Sequence, residues 1–497
     1  MHATDRADDL IAATTGGKVR GVTRDGIGIF RSIPYAAPPV GDRRFKPPAA
    51  VEPWDGVRDA LRFGPVAPQL PSPLETMFGA ADPECDEAAS LTLSVYTPGL
   101  DDAKRPVMFW IHGGAFVNGT GGSPIYDGRR FARHGDVVVV SINYRLGAFG
   151  FLHLDDIFGQ EFAGSGNAGI LDQVCALQWV RDNIVDFGGD PDRITIFGES
   201  AGGMSVGTLL GLPVAQGMYS GAISQSGGAS FCVRADQATA TARTVLTACG
   251  IETVEQLRDA PMESILDAQR AIFAAGLRTD LPFVPVVEGN VLPQRPIDAV
   301  RDGLGAVPTI IGTNRDEMTM FTALDLGTGT VNEATITAAL TATFGDRAAA
   351  VASEYHDIYP DALPADIATA LATDRVFRTP ALRLAEAGVS TRPTWMYLFT
   401  WESPVMDGAL KSCHALELPF MWDALDRPGL SMLTGDAPDR QPLADEMHAA
   451  WIRFARTGDP GWPTYDLTRR ATQRFDTTVE ILDDPMTRQR ELWSGVG

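Results

Sequence analysis

The chain reads as an α/β protein built on a large, mostly parallel central sheet with helices on both faces. Three observations point there. Val137-Val138-Val139-Val140-Ser141-Ile142 is apolar on both faces of a strand, as a strand inside a covered sheet must be. Other strand-like runs, at residues 107–111, 193–197, 222–225, 309–312 and 395–399, alternate with helical segments. That alternation builds parallel sheets through crossover helices. Finally, Gly198-Glu199-Ser200-Ala201-Gly202 joins the strand at 193–197 to a small-residue helical run at 203–210. Strand, tight turn with a serine at its tip, then helix is the layout that presents a nucleophile.

The elements follow in chain order. Residues 1–17 carry Asp5, Asp8 and Asp9 and no apolar run, which is unlike a secretory leader. Residues 17–34 alternate around Asp25-Gly26, a hairpin turn signal. Proline is frequent between 34 and 124, so this third is expected to be loop-rich. Ile170, Val174, Leu177, Val180 and Ile184 recur at helical spacing and predict an amphipathic helix. Gly188-Gly189 should end it, and Asp190-Pro191 should turn the chain. The Ala-rich stretches 233–280 and 330–390 read as helical excursions over the sheet that shape an entrance. No linker or internal repeat divides residues 1–497, which are therefore taken as a single domain.

Composition narrows the function. Of 497 residues 44% are hydrophobic and 21% charged, which suits a globular protein with a large core. The formal net charge of −22 disfavours nucleic acid and anionic membrane as partners. No apolar stretch approaches the ~20 residues of a membrane span. The five cysteines, Cys85, Cys175, Cys232, Cys249 and Cys413, match neither a metal site nor a redox pair. A reduced, cytoplasmic protein with no metal and no cofactor is expected. Nothing in the pattern reports oligomeric state.

A G-x-S-x-G pattern alone is weak: with 51 glycines in the chain, about 0.3 chance matches are expected. Gly203-Met204-Ser205-Val206-Gly207 is a second match. No strand leads into Ser205, so it reads as a packing residue inside the helix, and context selects Ser200. A serine nucleophile needs a base, and the base needs an orienting acid. Of the seven histidines, His414 is the base candidate, because it follows the strand at 395–399 after a loop. His2 lies in the tail, His134 and His356 have polar neighbours, and His448, beside Asp445 and Glu446, is expected to be solvated. Asp316 and Glu317 follow the strand at 309–312, and spacing does not choose between them. His112-Gly113-Gly114-Ala115-Phe116 places small residues after a strand, where backbone amides can face a developing oxyanion. His112 itself reads as structural.

These motifs resemble the type-B carboxylesterases of the α/β-hydrolase superfamily, the group containing bacterial p-nitrobenzyl esterases and the cholinesterases. Further ordered matches carry the resemblance: Phe30-Arg31-Ser32-Ile33-Pro34-Tyr35, Asn143-Tyr144-Arg145-Leu146-Gly147, residues 166–203, Gln225-Ser226-Gly227, Arg315-Asp316-Glu317 and residues 414–420. The resemblance implies an α/β-hydrolase fold with helical excursions over an active-site gorge. It implies a serine carboxylesterase working on small-molecule esters through an acyl-enzyme, with a Ser200, His414, Glu317 triad. By the same resemblance Gly114, Ala115 and Ala201 are the oxyanion donors, Glu199 is a buried acid beside the nucleophile, and Ser226 lies near the triad. Two departures appear. The family's cysteine pair is replaced by Ala67 and Ser90, and residues 74–87 are atypical and are expected at the entrance. A carbamate or amide hydrolase would use the same triad. A non-catalytic binding protein on this fold is the reading from another class. Phe116, Phe231, Phe283, Met318 and Phe321 are candidates for an apolar pocket, with core packing as the alternative for each.

Overall fold

Alternate residues of the strand Arg105–Ile111 enter two different cores: Phe109 and Ile111 join one apolar cluster, Met108 and Trp110 the other. This is the two-residue period of a strand covered on both faces. The structure, a computed structural model, describes residues 9–72, 84–274, 281–323 and 333–496. Its N-terminal strands are β1 (Asp9–Thr14), β2 (Gly17–Arg24), β3 (Ile27–Pro34), β4 (Val57–Asp59), β5 (Thr92–Thr97), β6 (Arg105–Ile111) and β7 (Val138–Ile142). They are followed by β8 (Gly189–Glu199), β9 (Gly221–Gln225), β10 (Val233–Arg234), β11 (Val286–Val287), β12 (Thr309–Asn314), β13 (Thr394–Phe399), β14 (Ala471–Phe475) and β15 (Glu480–Asp483).

The main sheet runs β1-β2-β3-β5-β7-β6-β8-β9-β12-β13-β14-β15, with β4 on β2. From β7 to β14 every neighbour is parallel. The β1 to β7 edge and β15 are antiparallel. The expected hairpin is β2–β3, and Asp25 (φ 53°) and Gly26 (φ 78°) both take the positive φ of a two-residue turn. β8 lies near the middle of the parallel run, so its carboxyl end opens where loops from both sides converge.

The predicted helix is Ala168–Asn183. It is buried on more than its apolar stripe, because Asp172 pairs with Arg145 and Gln173 bonds Ser205. Gly188 (φ 75°) ends the short turn that follows. Asp190-Pro191 makes a local turn, the Asp192 amide donating to Asp190 Oδ1 at 3.0 Å, but does not stand outside the strand as expected. It lies within β8, where the register against β6 shifts between Arg105 and Val107 and so accommodates a proline that cannot donate to the ladder. Helices Ala235–Cys249, Val254–Asp259 and Met262–Ala274 occupy the first excursion and pack on the main core. The second carries Glu333–Phe344, Ala348–Ile358 and Pro364–Thr373 around a smaller cluster that includes Tyr355 and Trp493, and Thr379–Gly388, which packs Ala381, Leu384 and Ala385 on the main core. Residues 275–280 and 330–332 of the excursions and residues 74–83 of the expected entrance lie outside the described residues. None of the five cysteines is in a disulfide. Among the described residues no helix is long and apolar enough to cross a membrane, and no group of three or more acidic, histidine or cysteine side chains is placed to hold a metal.

Candidate active site

Ser200 stands between β8 and the helix Ala201–Leu210 with φ 56° and ψ −124°. A non-glycine residue there is strained and persists only when its surroundings hold it. They do. The Ser200 amide donates to Gln225 O at 3.0 Å on neighbouring β9. A Cβ on Gly202 would overlap Ile111 O, and one on Gly203 would overlap Gln225 O. The helix start is thus pressed onto the ends of β6 and β9, which only glycine permits. Ser205 is fully buried one turn later and accepts from Gln173 Nε2 at 3.0 Å, a packing role as expected.

The loop after β12 carries both acid candidates. Glu317 is fully buried, and its Oε1 accepts from Ser226 Oγ at 2.6 Å and from the Asn314 amide at 2.8 Å. Its Oε2 lies 2.6 Å from His414 Nδ1. Asp316 points elsewhere, to Arg315 Nε at 2.8 Å and the Ser412 amide at 3.3 Å. Geometry therefore separates two adjacent carboxylates that spacing leaves equal.

His414 follows β13 and is buried, with its amide donating to Glu317 O at 3.1 Å. Its Nε2 sits 3.2 Å from Glu199 Oε1, one residue from Ser200. Among the described residues no hydrogen bond joins Nε2 to Ser200 Oγ. Burial opposes charge on this ring, but attraction to Glu199, then the bond and attraction to Glu317, outweigh it and hold its pKa up at about 9. His112 behaves oppositely. Burial pushes it down to about 4, its Nδ1 lies 2.8 Å from Gly113 O, and its ring stacks on Tyr144. It is a structural histidine.

The loop after β6 turns through positive φ at Gly114 (107°), Ala115 (54°) and Phe116 (60°). It lies against the serine turn: a Cβ on Gly113 would come within 3.1 Å of Ser200 Cβ. Among the described residues the amides of Gly114, Ala115 and Ala201 donate to no protein group. A cavity of about 270 Å³ lined by Ser32, Ser94, Ser123 and Ser141 includes none of Ser200, Glu317 and His414.

The apolar candidates divide. Phe116 and Phe283 are fully buried in the core, against Phe151 and Phe273. Phe231 is partly buried at the edge of the same core. Met318 is partly buried directly after Glu317, and the Phe321 ring stands 5.5 Å from His414. His448 is not solvated. It is buried with Nδ1 at 2.8 Å from Met421 O and its ring on Phe131, because the helix Arg440–Thr457 turns Ala444, His448 and Trp451 inward together. Sequence reasoning also missed a buried network. Glu417 accepts from Asn314 Nδ2 at 2.7 Å and Gln225 Nε2 at 3.1 Å, and Gln225 Oε1 accepts from Trp451 Nε1 at 3.0 Å. Glu417 and Gln225 lie inside motifs noted above, but only three-dimensional contact links them. Phe377, 4.5 Å from the His414 ring, had no sequence signal.

A profile described as the carboxylesterase family matches residues 8–491. The chain is 39% identical over 494 residues to the para-nitrobenzyl esterase of Bacillus subtilis (strain 168), covering 97% of this chain and 98% of that protein. It is 37% identical over 474 residues to the phenmedipham hydrolase of Pseudarthrobacter oxydans, covering 92% of each. The solved structure of a Geobacillus stearothermophilus carboxylesterase superposes with a TM-score of 0.88 at 41% identity, covering 97% of this chain and 100% of that one.

Proposed function

The chain belongs to the carboxylesterase family and is a serine carboxylesterase of α/β-hydrolase fold, and we propose that Ser200 is its nucleophile, His414 its base and Glu317 the acid that orients the base. The observation that carries this reading is the 2.6 Å contact from Glu317 Oε2 to His414 Nδ1 beside the strained Ser200 turn. With Nδ1–H donated to Glu317, the lone pair of Nε2 is left for the Ser200 proton. Nε2 exchanges Glu199 for Ser200 Oγ as the reaction begins.

Ser200 Oγ bonds to the acyl carbon while its proton passes to His414, and the carbonyl electrons move onto oxygen. The amides of Gly114, Ala115 and Ala201 receive that charge. The carbonyl re-forms, the C–O bond to the alcohol breaks, and His414 returns the proton to the leaving oxygen. Water then adds to the acyl-enzyme with His414 again taking a proton, and the acid departs as Ser200 regains its hydrogen. Glu317 and Glu199 stabilise the imidazolium in both halves, and Ser226 holds Glu317 in place.

The substrate is a small-molecule ester, and para-nitrobenzyl esters are the first to test, given the relative of that name. Five cysteines, none of them in a disulfide, support a reducing, cytoplasmic setting. A fluorophosphonate should label Ser200, read by peptide mass. Ser200→Ala should lose both labelling and ester hydrolysis while keeping the wild-type circular dichroism. Label on Ser205, or hydrolysis surviving in Ser200→Ala, sinks the assignment.

A further inference from the structure

One turn of π-helix, Asp374–Arg378, interrupts the helices Pro364–Thr373 and Thr379–Gly388. Such turns need tertiary contacts to hold them and occur often at functional sites. This one is fixed from inside. Asp374 and Arg378 form an ion pair whose side chains are only 2% and 8% exposed. The Tyr355 hydroxyl donates to Asp374 Oδ2, and Trp493 Nε1 donates to that hydroxyl at 2.8 Å.

The same short segment touches the triad loops at three points. Arg378 Nη2 donates to Arg315 O at 2.6 Å, and the Met318 amide donates to Thr373 Oγ1 at 3.1 Å. These grips fall two residues before Glu317 and one after it. Between them Phe377, itself buried, packs its ring 4.5 Å from the His414 imidazole, tilted by 35°.

We propose that the segment 373–378 is a positioning element for the triad, and that Phe377, the nearer of the two rings beside His414, is what chiefly fixes the plane of its imidazole. The inference rests on the roles given above to Glu317 and His414. The contacts at Nδ1 and Nε2 pin the imidazole at its two nitrogens. Those contacts leave the ring some play about its Cβ–Cγ bond, and rings packed beside it, Phe377 at 4.5 Å and Phe321 at 5.5 Å, limit that motion. Rocking swings the Nε2 lone pair away from Ser200 Oγ, and proton transfer is sensitive to such misalignment. The π-turn supplies the aim. An α-helical residue advances by about 100°, so the one residue by which a π-turn exceeds an α-turn decides whether position 377 faces His414.

The test uses the full chain with Phe377→Ala and Phe377→Leu, the second keeping an apolar core in case the first does not fold. Kinetics on a para-nitrophenyl ester are read beside melting temperature and the low-field proton NMR signal of His414 Nδ1–H. The expected result is a fall in kcat of about tenfold for Ala and severalfold for Leu, with KM within about twofold of wild type. The low-field signal should broaden in both. A filler of the core would change melting temperature alone. Wild-type kcat and an unchanged signal in the folded Leu variant, or a loss carried by KM, overturn the proposal. If the fluorophosphonate fails to label Ser200 in the wild-type protein, the triad assignment falls instead. Labelling with unaltered Phe377 variants removes only this inference.

Discussion

Replacing Glu199 by Gln removes a charge 3.2 Å from His414 Nε2 while keeping the side-chain shape. Two unit charges at that distance attract by about 5 kcal/mol at an effective dielectric constant near 20. At about 1.36 kcal/mol per pKa unit this sets an upper bound of about four units. Burial keeps opposing the imidazolium and Glu317 keeps favouring it, so the expected change is smaller, a drop of about two units from the value near 9. The sign follows from the reaction. The base must be neutral, so kcat/KM rises with pH through the His414 pKa of the free enzyme. Losing an anion lowers that pKa, and the acid limb of the profile moves toward lower pH. The alkaline plateau should fall, because the same carboxylate stabilises the imidazolium formed in the transition state. The assay is kcat/KM for an activated ester across the acid limb, with product read at a wavelength insensitive to its ionisation. A limb that stays in place, or moves to higher pH, refutes the electrostatic account of this site.

Ser226→Ala should lower kcat with little change in KM and cost about 1.5–3 kcal/mol in denaturant unfolding, because it strips a 2.6 Å hydrogen bond from a fully buried carboxylate. Gly202→Ala should be destabilised by several kcal/mol and inactive, since its methyl group would overlap Ile111 O. A soluble Gly202→Ala protein with normal melting temperature and activity would contradict the packing described for the serine turn.

What the sequence exposes is what the backbone enforces. The strand cores were legible because Val138, Val139 and Val140 are buried whichever face they take. Ser200 was legible over Ser205 because a strand runs into the first and a helix contains the second. Which of Asp316 and Glu317 meets His414 was not legible from spacing; the contact falls to Glu317. One bond that holds Glu317 there, from Ser226 Oγ, joins residues 91 positions apart. His448 misled because Asp445 and Glu446 stand just before it, while Ala444, Met447 and Trp451 on the same helix are buried with it. Asp190-Pro191 signalled a turn but not that the turn is an irregularity inside a strand. Phe377 could not be read at all, since a helical pattern does not announce a π-turn.

Three buried carboxylates share the surroundings of one imidazole, and they are not equivalent. Glu317 and Glu199 contact the two ring nitrogens directly. Glu417 contacts neither; it is bonded to Asn314 and Gln225, residues that also hold the acid loop and the serine turn. Burial, then repulsion from Glu317, pushes Glu417 up to about 7. Crowded like charges in a dry site cannot all persist at low cost, and a carboxylate set back from the base can take a proton while leaving both ring contacts in place. A protonated Glu417 no longer repels Glu317. The arrangement therefore keeps negative charge where the imidazolium forms and relieves it one hydrogen bond further out. That accounts for a buried glutamate in a region where an apolar side chain would otherwise pack at lower cost.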